Sequence, residues 1–375
     1  MKRIVLLYIL ASIGAWAQSG IQEADSLFKL GNYSKAIAIY KQNSQHHEAS
    51  QKLALSYQAL GNYQQGLQYY DKAVLAHPEN LFLRYEQAKL LRALKKYDVA
   101  KEGFQTLIQK DSLNPNFYFE MGKLAEQTGD SLAINYFNKT YNLDPQHQKT
   151  IYKIARYKMV KRKHIESNEY VDRGLKLYSE NVELISLKAQ NFYWMQDYEK
   201  AIFWFEKLIA LGEKSELIYE KLSISQAENY DYEKAIAYRK KALAYNPENA
   251  DAHYAIGIYY EYLHKFAEAE EHVALAISLK DEKLSDEYQK LGVLLNRQKK
   301  YPQAIEAFKK SLKEDPTNMS SDFFMAMSKD QYYEDIDARI KVFKDLESKY
   351  SDSPFATFAS RRLEELREEK FNTQD

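Results

Sequence analysis

The segment Tyr198-Glu199-Lys200-Ala201 is repeated as Tyr232-Glu233-Lys234-Ala235, and this repetition is the strongest indication of the fold. Similar phrases, in which a small residue follows an aromatic residue by three positions, recur along the chain. The small residue returns every 33 to 35 positions, so one unit of about 34 residues is copied many times. Its positions are Gly66, Ala100, Ala133, Ser167, Ala201, Ala235, Ala269, Ala304 and Ala338.

A second series of small residues keeps the same period about 12 positions upstream of the first. Two helices that pack closely leave no room for a long side chain where they cross, so the paired series predict helical hairpins. The second series is Ala54, Ala88, Gly122, Ala155, Ala189, Ser223, Gly257, Gly292 and Ala326. Aromatic residues one helical turn after the first series are predicted to fill the core; they are Tyr40, Tyr70, Phe104, Phe137, Phe205 and Phe308.

The composition supports an all-α fold without a global charge preference. Only 12 Gly and 7 Pro occur in 375 residues, which favours long helices joined by short turns. The formal net charge is zero, so no overall field draws the chain to nucleic acid or to an anionic membrane. The chain contains no cysteine, which excludes disulfides, thiolate metal sites and cysteine nucleophiles.

A 34-residue helix-turn-helix unit with these small and aromatic positions resembles the tetratricopeptide repeat. The resemblance implies a right-handed α-solenoid of about ten repeats over residues 18–352. The segment 353–375 is then expected to form a capping helix, which begins at Ser353-Pro354, and a short tail. The fourth repeat has Gly129-Asp130-Ser131 in place of the turn aromatic, and the fifth, at 161–165, lacks both the turn glycine and the aromatic. These departures indicate either a bend or functional edge, or ordinary drift.

The N-terminus has the pattern of a bacterial signal peptide. Lys2 and Arg3 precede an apolar run that ends at Ala15-Trp16-Ala17, a small-x-small pattern. Residues 1–17 are therefore predicted to be a signal peptide that is cleaved after Ala17. The run is too short for a comfortable bilayer span, so we expect a periplasmic or secreted protein of the bacterial envelope with no stable membrane insertion after cleavage.

The sequence contains no pattern that predicts an enzyme. No pair of the eight histidines has the spacing of a helical zinc protease site, and there is no phosphate-binding glycine loop, nucleophile elbow or calcium loop. We therefore expect no catalytic residues, no metal site and no cofactor.

Partner binding is the expected role, because the resemblance implies that the first helices of the repeats line a concave groove. In the third to fifth repeats this face is predicted to be basic and aromatic, which favours an acidic protein or extended peptide as partner. The sixth repeat adds two large aromatic residues to the predicted site. The predicted partner-binding residues are Phe82, Tyr85, Lys89, Arg92, Phe119, Lys123, Lys149, Tyr152, Arg156, Tyr193 and Trp194.

Two alternatives share the same surface. Sugar rings stack on tyrosine and tryptophan, so the aromatic groove is also compatible with a glycan or a cell-wall fragment. A helical repeat that binds RNA fits the basic stretch from Lys149 to Lys163, but it fits neither export nor a neutral chain. No nucleic-acid partner is therefore expected.

Overall fold

A computed structural model describes residues 20–44, 48–280, 284–351 and 353–372 of the chain. The predicted signal peptide and its cleavage after Ala17 lie outside these residues. The described part contains twenty-one helices and no strand, so the predicted all-α class is confirmed.

The helices form ten consecutive hairpins, which we number as repeats 1 to 10, and a final single helix. Repeats 1 to 5 are α1 (20–29) with α2 (Tyr33–Gln42), α3 (Ala49–Ala59) with α4 (Tyr63–Ala76), α5 (Leu81–Ala93) with α6 (Tyr97–Lys110), α7 (Pro115–Thr128) with α8 (Ala133–Leu143), and α9 (Gln148–Val160) with α10 (His164–Leu177). Repeats 6 to 10 are α11 (Val182–Trp194) with α12 (Tyr198–Ala210), α13 (Glu216–Glu228) with α14 (Tyr232–Leu243), α15 (Ala250–Tyr262) with α16 (Phe266–Leu279), α17 (Ser285–Arg297) with α18 (Tyr301–Glu314), and α19 (Met319–Tyr332) with α20 (Ile336–Lys349). The final helix is α21 (Pro354–Asn372).

The chain divides into two compact units, one that ends at Ser179 and one that begins at Glu180. The first unit holds repeats 1 to 5, and the second holds repeats 6 to 10 with α21. Within each unit, a second helix also packs against the first helix of the following repeat. Each unit is therefore a stack of hairpins with its own continuous core.

The small residues lie where the two helices of a hairpin cross, as the sequence predicts. The Ser167 hydroxyl donates to the Ala155 carbonyl at 2.8 Å, and the Ser223 hydroxyl donates to the Ala235 carbonyl at 2.7 Å. A Cβ added to Gly66 would lie 3.3 Å from the Ala54 carbonyl oxygen. The predicted core aromatics are at most 3% exposed; they are Tyr40, Tyr70, Phe104, Phe137, Phe205 and Phe308.

The turn inside each of the first nine repeats contains one residue in the left-handed conformation. Repeats 1, 2 and 4 use glycine, whereas the other six use a residue with a side chain. The latter are Lys95, Arg162, Gln196, Tyr230, His264 and Lys299, with φ between 58° and 62°. The fifth repeat therefore keeps the common turn although it has no glycine there.

The fourth repeat is the one in which the turn itself changes. Its second helix begins at Ala133, four residues after the left-handed Gly129. In the third repeat the second helix begins at Tyr97, two residues after Lys95. Helix α8 thus begins two residues later than the second helix of the third repeat, and Ser131, at the position of the turn aromatic, lies before it.

The predicted capping helix is confirmed as α21, which covers the last hairpin. Leu363 and Leu366 are buried in a cluster with Phe343 of α20. The side chain of Asp330 on α19 is 3% exposed and accepts hydrogen bonds from Arg339 Nε at 2.8 Å and from Arg362 Nε at 2.9 Å. Because this buried carboxylate has two cationic partners, it ties α19, α20 and α21 together.

Candidate partner-binding site

The predicted partner-binding residues all lie on first helices of the repeats. Helix α5 carries Phe82, Tyr85, Lys89 and Arg92; α7 carries Phe119 and Lys123; α9 carries Lys149, Tyr152 and Arg156; α11 carries Tyr193 and Trp194. The nine residues on α5, α7 and α9 belong to the first unit, and we call their face the repeat 3–5 face. Tyr193 and Trp194 belong to the second unit, so they are described separately.

The α5 part of the repeat 3–5 face combines an exposed ring with a paired lysine. Phe82, near the start of the helix, is 50% exposed. The Lys89 ammonium lies 2.8 Å from a Glu86 carboxylate oxygen and 4.8 Å from the centre of the Tyr85 ring. Tyr85 is only partly exposed, and burial, with smaller contributions from Glu120 and Glu86, raises the pKa of its phenol. Lys89 is therefore held over the ring that was predicted to contact a partner.

A buried carboxylate joins α5 to α7. Glu120 is 5% exposed, and its two oxygens accept from Arg92 Nη2 at 2.8 Å and from Lys123 Nζ at 3.1 Å. Arg92 Nη1 also donates to Gln127 Oε1 at 3.1 Å. Burial lowers the pKa of Lys123, although the contact with Glu120 opposes that shift. The cluster thus has two cations and one anion, and Lys123 is fixed by an internal partner rather than extended into solvent.

A second carboxylate joins α7 to α9. Glu126 forms ion pairs with Lys153 and, at 3.8 Å, with Arg156 Nη1. Lys149 is exposed and makes no ion pair with the described residues. The five basic residues of the repeat 3–5 face and the adjacent Lys153 therefore meet three acidic side chains, which leaves a net charge of +3.

The positive charge predicted for this face is therefore too high, because neighbouring helices supply acidic residues that the prediction did not include. Glu120 lies 28 positions from Arg92, and Glu126 lies 27 positions from Lys153. Lys52 and Asp25 show the same spacing of 27, and Lys290 and Glu261 are 29 apart. Opposite charges 27 to 29 positions apart on successive first helices are thus the sequence signal that finds these pairs.

The aromatic part of the prediction also needs correction at Phe119. This residue is 6% exposed, and its ring packs 5.8 Å from Phe137 and 4.7 Å from His147, measured between ring centres. Phe119 therefore belongs to the core and offers no exposed surface to a partner. Phe119 is buried because it lies on the side of α7 that faces α8 and α9, where it packs with Phe137 and Ile154. Phe82 remains the exposed ring of this face, and Tyr152 is partly exposed.

In the second unit, Tyr193 and Trp194 form a separate aromatic pair at the end of α11. Their ring centres are 5.3 Å apart, and Trp194 is 59% exposed. The Lys221 ammonium of α13 lies 4.6 Å from the Tyr193 ring centre and 5.7 Å from that of Trp194. Burial first, and Glu220 next, raise the pKa of Tyr193. The arrangement offers a flat apolar surface that is bordered by a cation.

The described residues contain no group of three or more histidine, aspartate or glutamate side chains placed to bind a metal ion. Among the described helices, none is long and apolar enough to cross a membrane. The geometry of both sites is that of ion pairs and partly exposed rings, which suits the binding of another molecule.

Hairpins of this period, stacked within each unit, define a helical-repeat protein, and comparison with known families identifies the repeat. One tetratricopeptide-repeat model matches residues 21–80, 52–100 and 221–282, and a second matches residues 288–318. The chain thus contains tetratricopeptide repeats. Such repeats are typically non-catalytic scaffolds, and the family supports a protein-binding role in general.

Individual similar proteins are distant. The DnaJ homolog subfamily C member 7 homolog of Dictyostelium discoideum is 24% identical over 210 residues, which cover 52% of this chain and 39% of that protein. The match thus spans well under half of the relative's length.

Among solved structures, YrrB, described as a TPR protein with an unusual peptide-binding site, has a TM-score of 0.45 at 17% identity and covers 49% of this chain and 95% of its own. MamA has a TM-score of 0.42 at 22% identity, with 50% and 95% covered. Yeast Tom70 has a TM-score of 0.37 at 16% identity, with 95% and 96% covered.

Proposed function

We propose that this protein is a non-enzymatic scaffold of the bacterial cell envelope that binds an acidic protein segment or extended peptide along the repeat 3–5 face. The supporting observation is the net charge of +3 that remains on the repeat 3–5 face after its ion pairs are counted, together with the exposed ring of Phe82. Charge on such a face steers an oppositely charged partner, and an exposed ring supplies apolar contact once the partner arrives.

The test reverses charge where the fold does not depend on it. Lys149 and Arg156 are exposed, whereas Lys123 pairs with the buried Glu120, so Lys123→Glu would place two carboxylates together and disturb the fold. The double variant Lys149→Glu/Arg156→Glu is therefore measured against acetylated twelve-residue peptides of glutamate, serine and glycine with one central tyrosine. We expect at least tenfold weaker binding at low salt and a much smaller dependence of the association rate on salt.

A matched control reverses Lys139 and Lys176, which are exposed on the second helices α8 and α10 of the same unit. This pair should leave peptide binding within a factor of two of the parent. Equal losses in both double variants, or no loss in the first, would remove the repeat 3–5 face as the binding site.

The location in the envelope rests on the N-terminal pattern around Lys2, Arg3 and Ala15-Trp16-Ala17. Intact-mass measurement of protein recovered from the extracytoplasmic fraction should show a mature chain that begins at Gln18. Retention of Met1 in the cytoplasmic fraction would refute this part of the proposal.

Glycan binding in the same groove has less support. Phe119 is buried, and Tyr85 packs against Phe104 and Phe117 with ring centres 6.5 and 5.6 Å away. Few ring faces on the repeat 3–5 face are therefore free to stack on sugars. Parallel titrations with the acidic peptides and with soluble cell-wall fragments separate the two functions.

A further inference from the structure

The aromatic residue two positions after the left-handed turn residue is present in seven of the first nine repeats. It is Tyr33, Tyr63, Tyr97, Tyr198, Tyr232, Phe266 and Tyr301. In the fourth repeat this position is Ser131, and in the fifth it is His164.

In repeats 7 and 8 the ring packs against the end of the first helix of the following repeat. In repeat 7 the Tyr232 ring stacks on Tyr262 of α15, with 4.7 Å between ring centres, and lies 6.2 Å from Tyr259. In repeat 8 the Phe266 ring lies 5.3 Å from the Arg297 guanidinium at the end of α17. In these two repeats the turn aromatic therefore packs against this helix end.

In the fourth repeat the corresponding space is open. Tyr157 and Val160 lie five and two positions before the left-handed Arg162, as Tyr259 and Tyr262 do before His264. Tyr157 is 40% exposed and Val160 is 66% exposed. They line a cleft of about 350 Å³, whose opposite wall includes Gly129, Ser131, Ala133, Ile134 and Phe137. The cleft thus occupies the place that the Tyr232 ring takes at the junction of repeats 7 and 8.

The chemistry of the cleft favours a ring as its occupant. Its walls are largely apolar, and the charged side chains at the rim, Lys153, Arg156 and Glu126, already pair with one another. The Asp130 carboxylate accepts from the Leu132 backbone N–H at 2.9 Å. Because its walls are largely apolar, the cleft gains most from an occupant that buries apolar area against Tyr157 and Val160.

We propose that this cleft, on the edge of the repeat 3–5 face, binds a tyrosine or phenylalanine side chain of the bound protein segment. The partner's ring takes the place of the aromatic residue that the fourth repeat lacks. The inference rests on the proposed function in that the occupant belongs to a protein partner, and it adds the residue type by which that partner is recognised.

The test uses the acidic peptides of the previous section with tyrosine, phenylalanine, leucine or alanine at the centre, measured by fluorescence anisotropy. For the parent protein, the tyrosine and phenylalanine peptides should bind at least tenfold tighter than the alanine peptide. Ser131→Tyr restores the missing ring, so it should raise the melting temperature and abolish this preference. Ser112→Tyr, a matched change in the exposed loop between α6 and α7, should do neither.

A second variant covers the case in which Ser131→Tyr does not fold. Val160→Arg places a charge on a wall that is already exposed, so the fold should tolerate it while the ring preference falls at least fivefold. A ring preference that survives in both variants would overturn the inference. If Ser131→Tyr instead converts a dimer to a monomer in sedimentation, the occupant is a second copy and the proposal is wrong.

The failure of this inference is distinguishable from failure of the proposed function. Acidic peptides that bind without a ring preference, and that respond to Lys149→Glu/Arg156→Glu, retain the proposed function and refute the cleft. A ring preference with no response to charge reversal retains the cleft and refutes the acidic partner. Absence of binding by every peptide contradicts both.

Discussion

The junction of repeats 4 and 5 and the junction of repeats 7 and 8 are built from equivalent helices. They differ in whether an aromatic ring packs on the end of the helix that follows. At the second, the Tyr232 ring stacks on Tyr262 at the end of α15, which leaves Tyr262 59% exposed on its other side. At the first, Ser131 stands in place of the ring, and the end of α9 is left exposed at Tyr157 and Val160. The hairpin crossing is kept in both. A repeat can therefore lose a surface-covering ring while it keeps the small residues that set its fold.

This difference separates residues that maintain the stack from residues that are available for function. Most crossing residues, such as Ala155, Ser223 and Ala235, are completely buried, and a longer side chain has no room there. The turn aromatic lies at the border of the core, so its loss exposes apolar area without separating the helices. Apolar area that stays exposed at one junction in a stack is the kind of surface that binding sites use.

The largest effect should come from breaking the crossing that both junctions share. Ala235 in repeat 7 is fully buried and accepts a hydrogen bond from Ser223. Ala235→Arg overfills this crossing and buries a charge, so it should cost more than the roughly 1–3 kcal/mol of overpacking alone. Urea denaturation measures the loss. Glu233→Arg, an exposed change in the same helix, should stay within about 0.5 kcal/mol of the parent.

The next largest effect should come from removing the turn aromatic at the junction of repeats 7 and 8. Tyr232→Ser should destabilise the second unit by about 1–3 kcal/mol, because it removes the stack on Tyr262 and exposes α15. A double-mutant cycle with Tyr262→Ser should give a coupling of about 0.5–1.5 kcal/mol. Additive single effects would mean that the stacked rings do not stabilise this junction.

The two junctions also show how far the sequence alone predicts the molecule. The period, the small residues and the buried rings are local signals with a fixed spacing, so the hairpins and the capping helix are predictable. The ion pairs of Glu120 and Glu126 are not visible in the same way, because each joins residues one repeat apart. The missing ring of the fourth repeat is visible in Gly129-Asp130-Ser131, but the cleft appears only when Tyr157 and Val160 are brought beside it.

Smaller changes in stability, of opposite sign, should come from replacing the left-handed turn residues of the two junctions. Tyr230 adopts φ 62° in repeat 7, where a side chain is strained, whereas Gly129 adopts φ 72° in repeat 4. Tyr230→Gly should stabilise the protein by up to about 1 kcal/mol, and Gly129→Ala should cost about 1 kcal/mol. Thermal denaturation measures both shifts. Changes of the same sign in the two variants would contradict the shared turn geometry.

The smallest effect concerns the residue that caps the first helix at each junction. Asn249 Oδ1 accepts from the Ala252 backbone N–H at 3.0 Å at the start of α15, and His147 Nδ1 accepts from the Thr150 backbone N–H at 3.2 Å at the start of α9. Asparagine does not titrate, but a protonated imidazole cannot accept this bond. Burial, with the Phe119 ring 4.7 Å away, lowers the pKa of His147; nearby Lys149 acts in the same direction, and Asp144 opposes it.

Acid should therefore weaken the junction of repeats 4 and 5 through His147. Because its pKa is lower in the folded than in the unfolded chain, its contribution to stability is full above the unfolded pKa of about 6.5 and is lost as the pH falls below it. His147→Asn keeps a capping oxygen without a titrating group. Its denaturation midpoint should match the parent's at pH 8 and exceed it increasingly below pH 6.5. Asn249→His should show the reverse trend, and pH profiles parallel to the parent's in both variants would exclude the capping imidazole as the acid-sensitive group.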